Sequence, residues 1–155
     1  MSELAEGSPA PDFTLPGDNA SEISLSAYRG QPVVLYFYPK DNTSGCTKEA
    51  VAFNELIDAF REAGVAIVGV SPDPVPSHDK FKSKYELGFA LASDEKTEVA
   101  NAYGVWVEKS MYGKKYMGVD RSTFLIDKDG NIARIWRKVK VPGHAEAVLE
   151  AARAL

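Results

Sequence analysis

Six consecutive residues, Val33-Val34-Leu35-Tyr36-Phe37-Tyr38, are apolar, β-branched or aromatic with no polar interruption. A run of that kind suits a strand buried on both faces, so the fold needs a covering layer above the sheet and another below it. After a polar stretch, Phe53, Leu56, Ile57 and Phe60 recur at i, i+3, i+4 and i+7. That spacing predicts one amphipathic helix ending at Gly64. Val65-Ala66-Ile67-Val68-Gly69-Val70 then reads as a second buried strand. Strand, helix and strand make a βαβ unit, whose crossover is expected to be right-handed, and the fold class is α/β.

The remaining elements are shorter. Asp12 to Leu25 reads as two alternating strands around Pro16-Gly17-Asp18-Asn19, a hairpin placed before the core. A helix is expected from about Ser77 to Tyr85, and another from an Asp94 cap to about Tyr103. Residues 123–127 and 131–136 flank Lys128-Asp129-Gly130 as a hairpin, and a helix from His144 to Leu155 closes the chain. The segment 105–119 is the least regular. Its methionines and tyrosines, set between glycines, read either as a mobile loop with an apolar face or as a loop packed on the core through Trp106 and Met117.

A length of 155 residues with a 45% hydrophobic fraction fits one domain, 1–155, with a full core. The net charge of −4, with both signs interspersed, leaves no nucleic-acid footprint. The basic run from Arg134 to Lys140 is expected to be a solvated strand face. No stretch approaches 18 apolar residues, and the start Met1-Ser2-Glu3-Leu4-Ala5-Glu6 is unlike a signal peptide, so no membrane partner is expected. Cys46 is the only cysteine, which fits a reducing, cytoplasmic setting.

Cys46 stands just past the C-terminal end of the first buried strand. With Thr43 or Ser44 as helix cap it falls in the first helical turn, where unpaired N–H groups and the helix dipole favour a thiolate. A lone cysteine can also be simply a small apolar side chain. Neither histidine offers a convincing catalytic partner: His78 and His144 both sit at helix starts and are expected to be exposed there. A cysteine hydrolase, a structural zinc site and a dithiol oxidoreductase are therefore disfavoured.

The stretch Tyr36-Phe37-Tyr38-Pro39-Lys40-Asp41, with Thr43, Gly45-Cys46-Thr47 and Glu49, resembles the active-site loop of the peroxiredoxins, and most of all their Q subgroup, the bacterioferritin comigratory proteins. The family pattern P-x-x-x-T-x-x-C with a distant arginine is matched by Pro39, Thr43, Cys46 and Arg121. The likeness runs from Pro9-Ala10-Pro11-Asp12-Phe13 to Trp136-Arg137-Lys138-Val139. It implies a thioredoxin-like fold: a central mixed β-sheet flanked by helices, with the N-terminal hairpin as an extension. It also implies a thiol-dependent peroxidase acting on hydrogen peroxide and organic hydroperoxides, with no cofactor and no metal.

Thiolate attack on an O–O bond needs donors around an anion. Thr43 and Arg121 can supply them, Pro39 can cover the sulfur without offering an N–H, and Glu49 holds the arginine by analogy with the family. Arg121 could instead pair at the surface with Asp120 or Asp127, and Thr43 could be a plain cap. Relatives carry a resolving cysteine where this chain has Val51, or in the segment Phe81-Lys82-Ser83-Lys84. With no second thiol, the resemblance implies a one-cysteine form reduced by thioredoxin, glutaredoxin or a low-molecular-weight thiol, acting as monomer or dimer. A non-enzymatic peroxide sensor or redox-dependent binding protein on the same scaffold is the alternative. The joint presence of Cys46, Thr43 and Arg121 argues for catalysis.

Overall fold

The computed structural model describes residues 4–155, so Met1 to Glu3, part of the polar N-terminal start, lie outside the described residues. The run at 33–38 supplies the centre of the fold: β3 (Val33–Phe37) is buried at all five positions. It pairs in parallel with β4 (Ala66–Ser71), Val33 opposite Ala66, and antiparallel with β8 (Ser122–Ile126), Phe37 opposite Ser122. β1 (Thr14–Gly17), β2 (Ser21–Ser24), β5 (Ala90–Ser93) and β9 (Ile132–Trp136) complete a seven-stranded mixed sheet in the order β2-β1-β5-β4-β3-β8-β9. The N-terminal hairpin is present, with Thr14 opposite Ser24.

Each face of the sheet has its own apolar layer. On one side Leu35, Phe37, Val68, Val70 and Phe124 pack with Phe13, Tyr103 and Val105. On the other, Val34, Tyr36, Tyr38, Ile67 and Leu125 meet Phe53, Phe60, Phe81 and Val148 from helices. Each fully buried side chain of this size is worth about 1.5–3 kcal/mol. Gly69 in β4 makes room for the Tyr36 ring, because a Cβ there would lie 3.0 Å from the phenol oxygen.

Four expectations need correction. The helix predicted to run unbroken to Gly64 is split at Leu56 (φ −100°, ψ 9°) into α1 (Ser44–Glu55) and α2 (Ile57–Glu62). Neither proline nor glycine stands at the break. Asn54 bonds both the Glu86 carbonyl and the Gly88 N–H, and Arg61 donates to the Gly88 carbonyl, so tertiary bonds on either side of Leu56 tie both helices to one loop. β5 is a strand that the sequence pattern did not signal, its four residues being too few to show a period. α3 (Val75–Tyr85) matches expectation closely, while α4 (Glu98–Ala102) is shorter than predicted; Asp94 still accepts the N–H groups of Val99 and Ala100. α5 spans His144–Arg153.

The fourth correction is the largest. Residues 105–119 are not a loop but a separate two-stranded ribbon, β6 (Trp106–Met111) and β7 (Lys114–Val119), paired from Trp106–Val119 at the base to Met111–Lys114 at the tip. Trp106 does pack on the core, as one reading expected, but Met117 is exposed.

At the far edge of the main sheet, Gly7 to Ala10 run along β9. Gly7 and Ala10 donate to the carbonyls of Ile132 and Gly130, and Ile132 donates back to Ser8. No helix among the described residues is long and apolar enough to cross a membrane.

Candidate active site

The C-terminal end of β3 leads through the loop 38–43 into α1, and Cys46 is the third residue of that helix, only 2% exposed. Thr43 occupies the N-cap position with extended backbone (φ −90°, ψ 158°), yet its side chain caps nothing. Its hydroxyl donates instead to the Lys40 carbonyl at 2.8 Å, which closes the loop on itself. A hydroxyl has one proton, so in this rotamer Thr43 cannot also donate to the sulfur; a bond to a peroxide or thiolate requires the hydroxyl to turn. Pro39 is half-buried where the loop begins.

Arg121 joins from the start of β8, whose antiparallel pairing sets its first residue beside the end of β3. One guanidinium nitrogen donates to Cys46 Sγ at 3.3 Å and another to Glu49 Oε1 at 2.7 Å. The surface pairing of Arg121 with Asp120 or Asp127 is not what forms. Cys46 and Glu49 lie three residues apart on α1 and so share a helix face, and a planar fork can reach both at once. Gly45 lets the fork come this close, since a Cβ there would sit 3.1 Å from an Arg121 nitrogen. Glu49 is 1% exposed, and its second oxygen has no hydrogen-bond partner. Burial pushes its carboxyl up to about 7 against the opposing pull of Arg121.

Both histidines, expected at the surface, are buried. His144 accepts from or donates to the Thr123 hydroxyl at 2.8 Å and stands edge-on to Phe53 and Trp136. Burial and the Arg121 charge hold it down at about 4, so it is neutral at pH 7. His78 is wholly buried, with Nδ1 2.7 Å from Asp41 Oδ2 and Nε2 3.0 Å from the Ala92 carbonyl. Both partners are acceptors, so both ring nitrogens donate and the ring is an imidazolium. Burial opposes that charge, but Asp41 and the carbonyl outweigh it and raise the histidine above its ordinary range. Asp41 also accepts from Tyr38 at 2.5 Å and from Ser77 at 2.8 Å, while its own N–H donates to Asp73. Asp41, Asp73 and His78 have ligand-type atoms within 4.8 Å of one another, but all three are engaged in these bonds.

The structure thus brings Cys46, Glu49 and Arg121 into contact, keeps Thr43 and Pro39 in the loop beside them, and holds that loop on α3 through Asp41 and His78. Sequence reasoning placed Asp41 and Gly45 in the active-site loop but gave neither a role, and it left His78 out of the arrangement as an exposed helix-end residue. The one available hint was a buried-type acid inside the loop and a histidine at a helix start, but no spacing rule joins residues 37 positions apart.

Known proteins resemble this chain over most of its length. Residues 7–135 match the AhpC/TSA family. The chain is 49% identical over 144 residues to peroxiredoxin Bcp of Bacillus subtilis, covering 93% of this chain and 92% of that one. Among solved structures, Xylella fastidiosa PrxQ superposes with a TM-score of 0.93 at 40% identity, covering 99% of this chain and 98% of that chain. The Xanthomonas campestris bacterioferritin comigratory protein, described for its alkyl peroxide reduction activity, superposes at 0.88 with 46% identity over 92% and 90%. A buried helix-N-terminal cysteine under an arginine fork, a thioredoxin-like mixed sheet behind it and relatives of this closeness over nearly the whole chain lead to one placement: the chain belongs to the AhpC/TSA family, among the peroxiredoxins of the Bcp, or Q, type.

Proposed function

We propose that Cys46 is the peroxidatic nucleophile of this thiol-dependent peroxidase and that Arg121 is its main electrostatic partner. The observation that carries the reading is the fork of Arg121, one arm on Sγ and one on Glu49. A thiolate at Cys46 attacks one oxygen of R–O–O–H. The S–O bond forms as the O–O bond breaks, the sulfur becomes a sulfenic acid that keeps the hydroperoxide's proton, and the departing alkoxide takes a proton from solvent water to leave as alcohol. Arg121 carries a fixed positive charge at the attacking sulfur and beside the path of the departing oxygen, in a site with little water to screen it. Glu49 is a positioning residue that sets the fork. Thr43 serves as a second donor after rotation, and Pro39 limits water at the sulfur. Hydrogen peroxide and organic hydroperoxides are the substrates.

The chain holds no second thiol, so the sulfenic acid is reduced from outside, by thioredoxin, glutaredoxin or a small thiol. One unpaired cysteine suits a reducing cytoplasm. Two apolar layers on a single sheet support 1–155 acting as one domain, and we take it to act as a monomer or dimer. Rapid-mixing measurement of Cys46 oxidation tests the roles. Cys46→Ser is expected to abolish it, and Arg121→Gln to slow it by about 10²–10³, the usual effect of removing a donor at a developing anion. An Arg121→Gln rate within twofold of the parent would reject the assignment.

A further inference from the structure

The ribbon β6–β7 accounts for four of the five exposed large apolar side chains among the described residues: Met111, Tyr112, Tyr116 and Met117. The fifth is Leu155 at the C-terminal end. Concentration on one projecting element, rather than scatter, marks an interaction surface. The turn sharpens the point. Tyr112 and Gly113 both have positive φ (52° and 77°), which makes the two-residue turn a type I′. Such turns favour asparagine, aspartate or glycine at the first position, and an aromatic side chain there is strained. Tyr112 is nevertheless 98% exposed, so no contact within its own chain offsets that strain.

Charge and position narrow the partner. The ribbon carries Lys109, Lys114 and Lys115 against Glu108 alone, on a molecule whose net charge is −4. A surface of tyrosine, methionine and cation suits an acidic, partly apolar protein face. Two copies of the same cationic arm repel each other, which disfavours self-association through it. The base of the ribbon is closed by the Asp120 N–H on the Val105 carbonyl, and Arg121 follows directly, so the arm is rooted one residue from the arginine that bonds Cys46. Six-residue strands give it a reach of about 20 Å.

We propose that the β6–β7 ribbon is the docking arm for a protein dithiol reductant with an acidic contact face. This rests on the peroxidase reading above. One reductant thiol attacks the Cys46 sulfenic sulfur, forming a mixed disulfide and releasing water. The second reductant thiol then attacks the reductant's own sulfur in that bond, so the reductant leaves oxidised and Cys46 returns as a thiol. Peroxide chemistry leaves a sulfenic acid that only an external thiol can reduce here, and the arm is rooted next to the arginine that bonds that sulfur. No step requires a membrane.

The test uses the full chain, with a thioredoxin and separately a glutaredoxin as reductant, and with dithiothreitol as a control. Tyr112→Asn and the pair Lys114→Glu with Lys115→Glu are each expected to raise the apparent KM for the protein reductant about tenfold, as expected when an exposed aromatic anchor or a steering charge is lost. Dithiothreitol-supported turnover and the single-turnover oxidation of Cys46 stay unchanged, and the parent's KM rises with salt while that of the charge variant does not. An unchanged KM in both variants overturns the docking arm. So does an absence of turnover with both protein reductants, or an equal loss with dithiothreitol. Binding of the parent but not the variants to phosphatidylglycerol vesicles, with KM unchanged, would make the ribbon a membrane contact instead. Failure of the parent in the single-turnover oxidation would remove the peroxidase reading itself, an outcome separate from all of these.

Discussion

The loop that leads into Cys46 and the ribbon that leads into Arg121 lie next in sequence to two residues in contact, and they are held in opposite ways. The loop is tied down from several sides. Asp41 is bonded to Tyr38, Ser77 and His78, its N–H to Asp73, and Asn42 accepts from both Lys84 and Tyr85. The ribbon beyond its base has its own ladder and an exposed 3.7 Å contact between Lys115 and Glu108. Attack on peroxide gains from groups that need not reorganise, whereas meeting a partner protein gains from a surface that can adapt. On the docking proposal, chemistry falls to the half that is tied down and exchange to the half that is not.

The largest effect should come from cutting the loop's anchor. Asp41→Ala leaves the His78 imidazolium buried without its partner, which is expected to cost about 3–5 kcal/mol in urea unfolding. It should also slow Cys46 oxidation although neither residue touches the sulfur. A loss below 1 kcal/mol would mean that the loop is not held as described. Changes in the ribbon should cost far less.

The pH dependence of stability comes next. Both Glu49 and His78 are shifted upward, so the folded chain holds protons that the unfolded chain releases. The stabilisation from the His78 pair is complete below the ordinary histidine value and is lost as pH rises through the higher folded value. For Glu49 the proton retained in the folded state makes the fold lose stability between about 4.5 and about 7 as pH rises. Glu49→Gln should therefore flatten the stability profile over that interval, measured by thermal melts at stepped pH. A profile as steep as the parent's would contradict the raised carboxyl.

The smallest effect sharpens the contrast from the other side. Tyr112→Asn relieves the strained turn and is expected to raise stability by about 0.5–1 kcal/mol, the reverse of what removing an aromatic from a packed position does. Destabilisation by this change would show that Tyr112 packs on its own chain.

This division also governs what could be read from the chain beforehand. The central strands, the first helical turn and the Cys46–Thr43–Arg121 set were legible because long apolar runs, helical spacing and a family pattern are local or contiguous signals. β5 was too short to show a period. The break at Leu56 depends on Asn54 and Arg61 reaching Gly88, which no window of sequence contains. The ribbon was misread because both of its faces are half in water, so the polar–apolar alternation that marks a strand on a core is missing, and because Tyr-Gly stands where a type I′ turn usually shows Asn-Gly. The histidines were placed correctly at helix starts, but burial depends on what packs over a helix end.

Gly7 to Ala10, lying along the outer side of β9, govern how this molecule behaves in a crowd. An open strand edge is a template on which another chain can extend the ladder, and β9 would offer one next to a large apolar layer. Here the N–H of Ile132 is already paired to Ser8, Glu6 accepts the N–H of Ile135, and Pro9 in the strap has no donor to extend outward. A few residues remote from the sulfur therefore act as the fold's guard against growing into a fibre, and a fusion or tag that peels them away would be paid for in solubility before any loss of peroxidase chemistry.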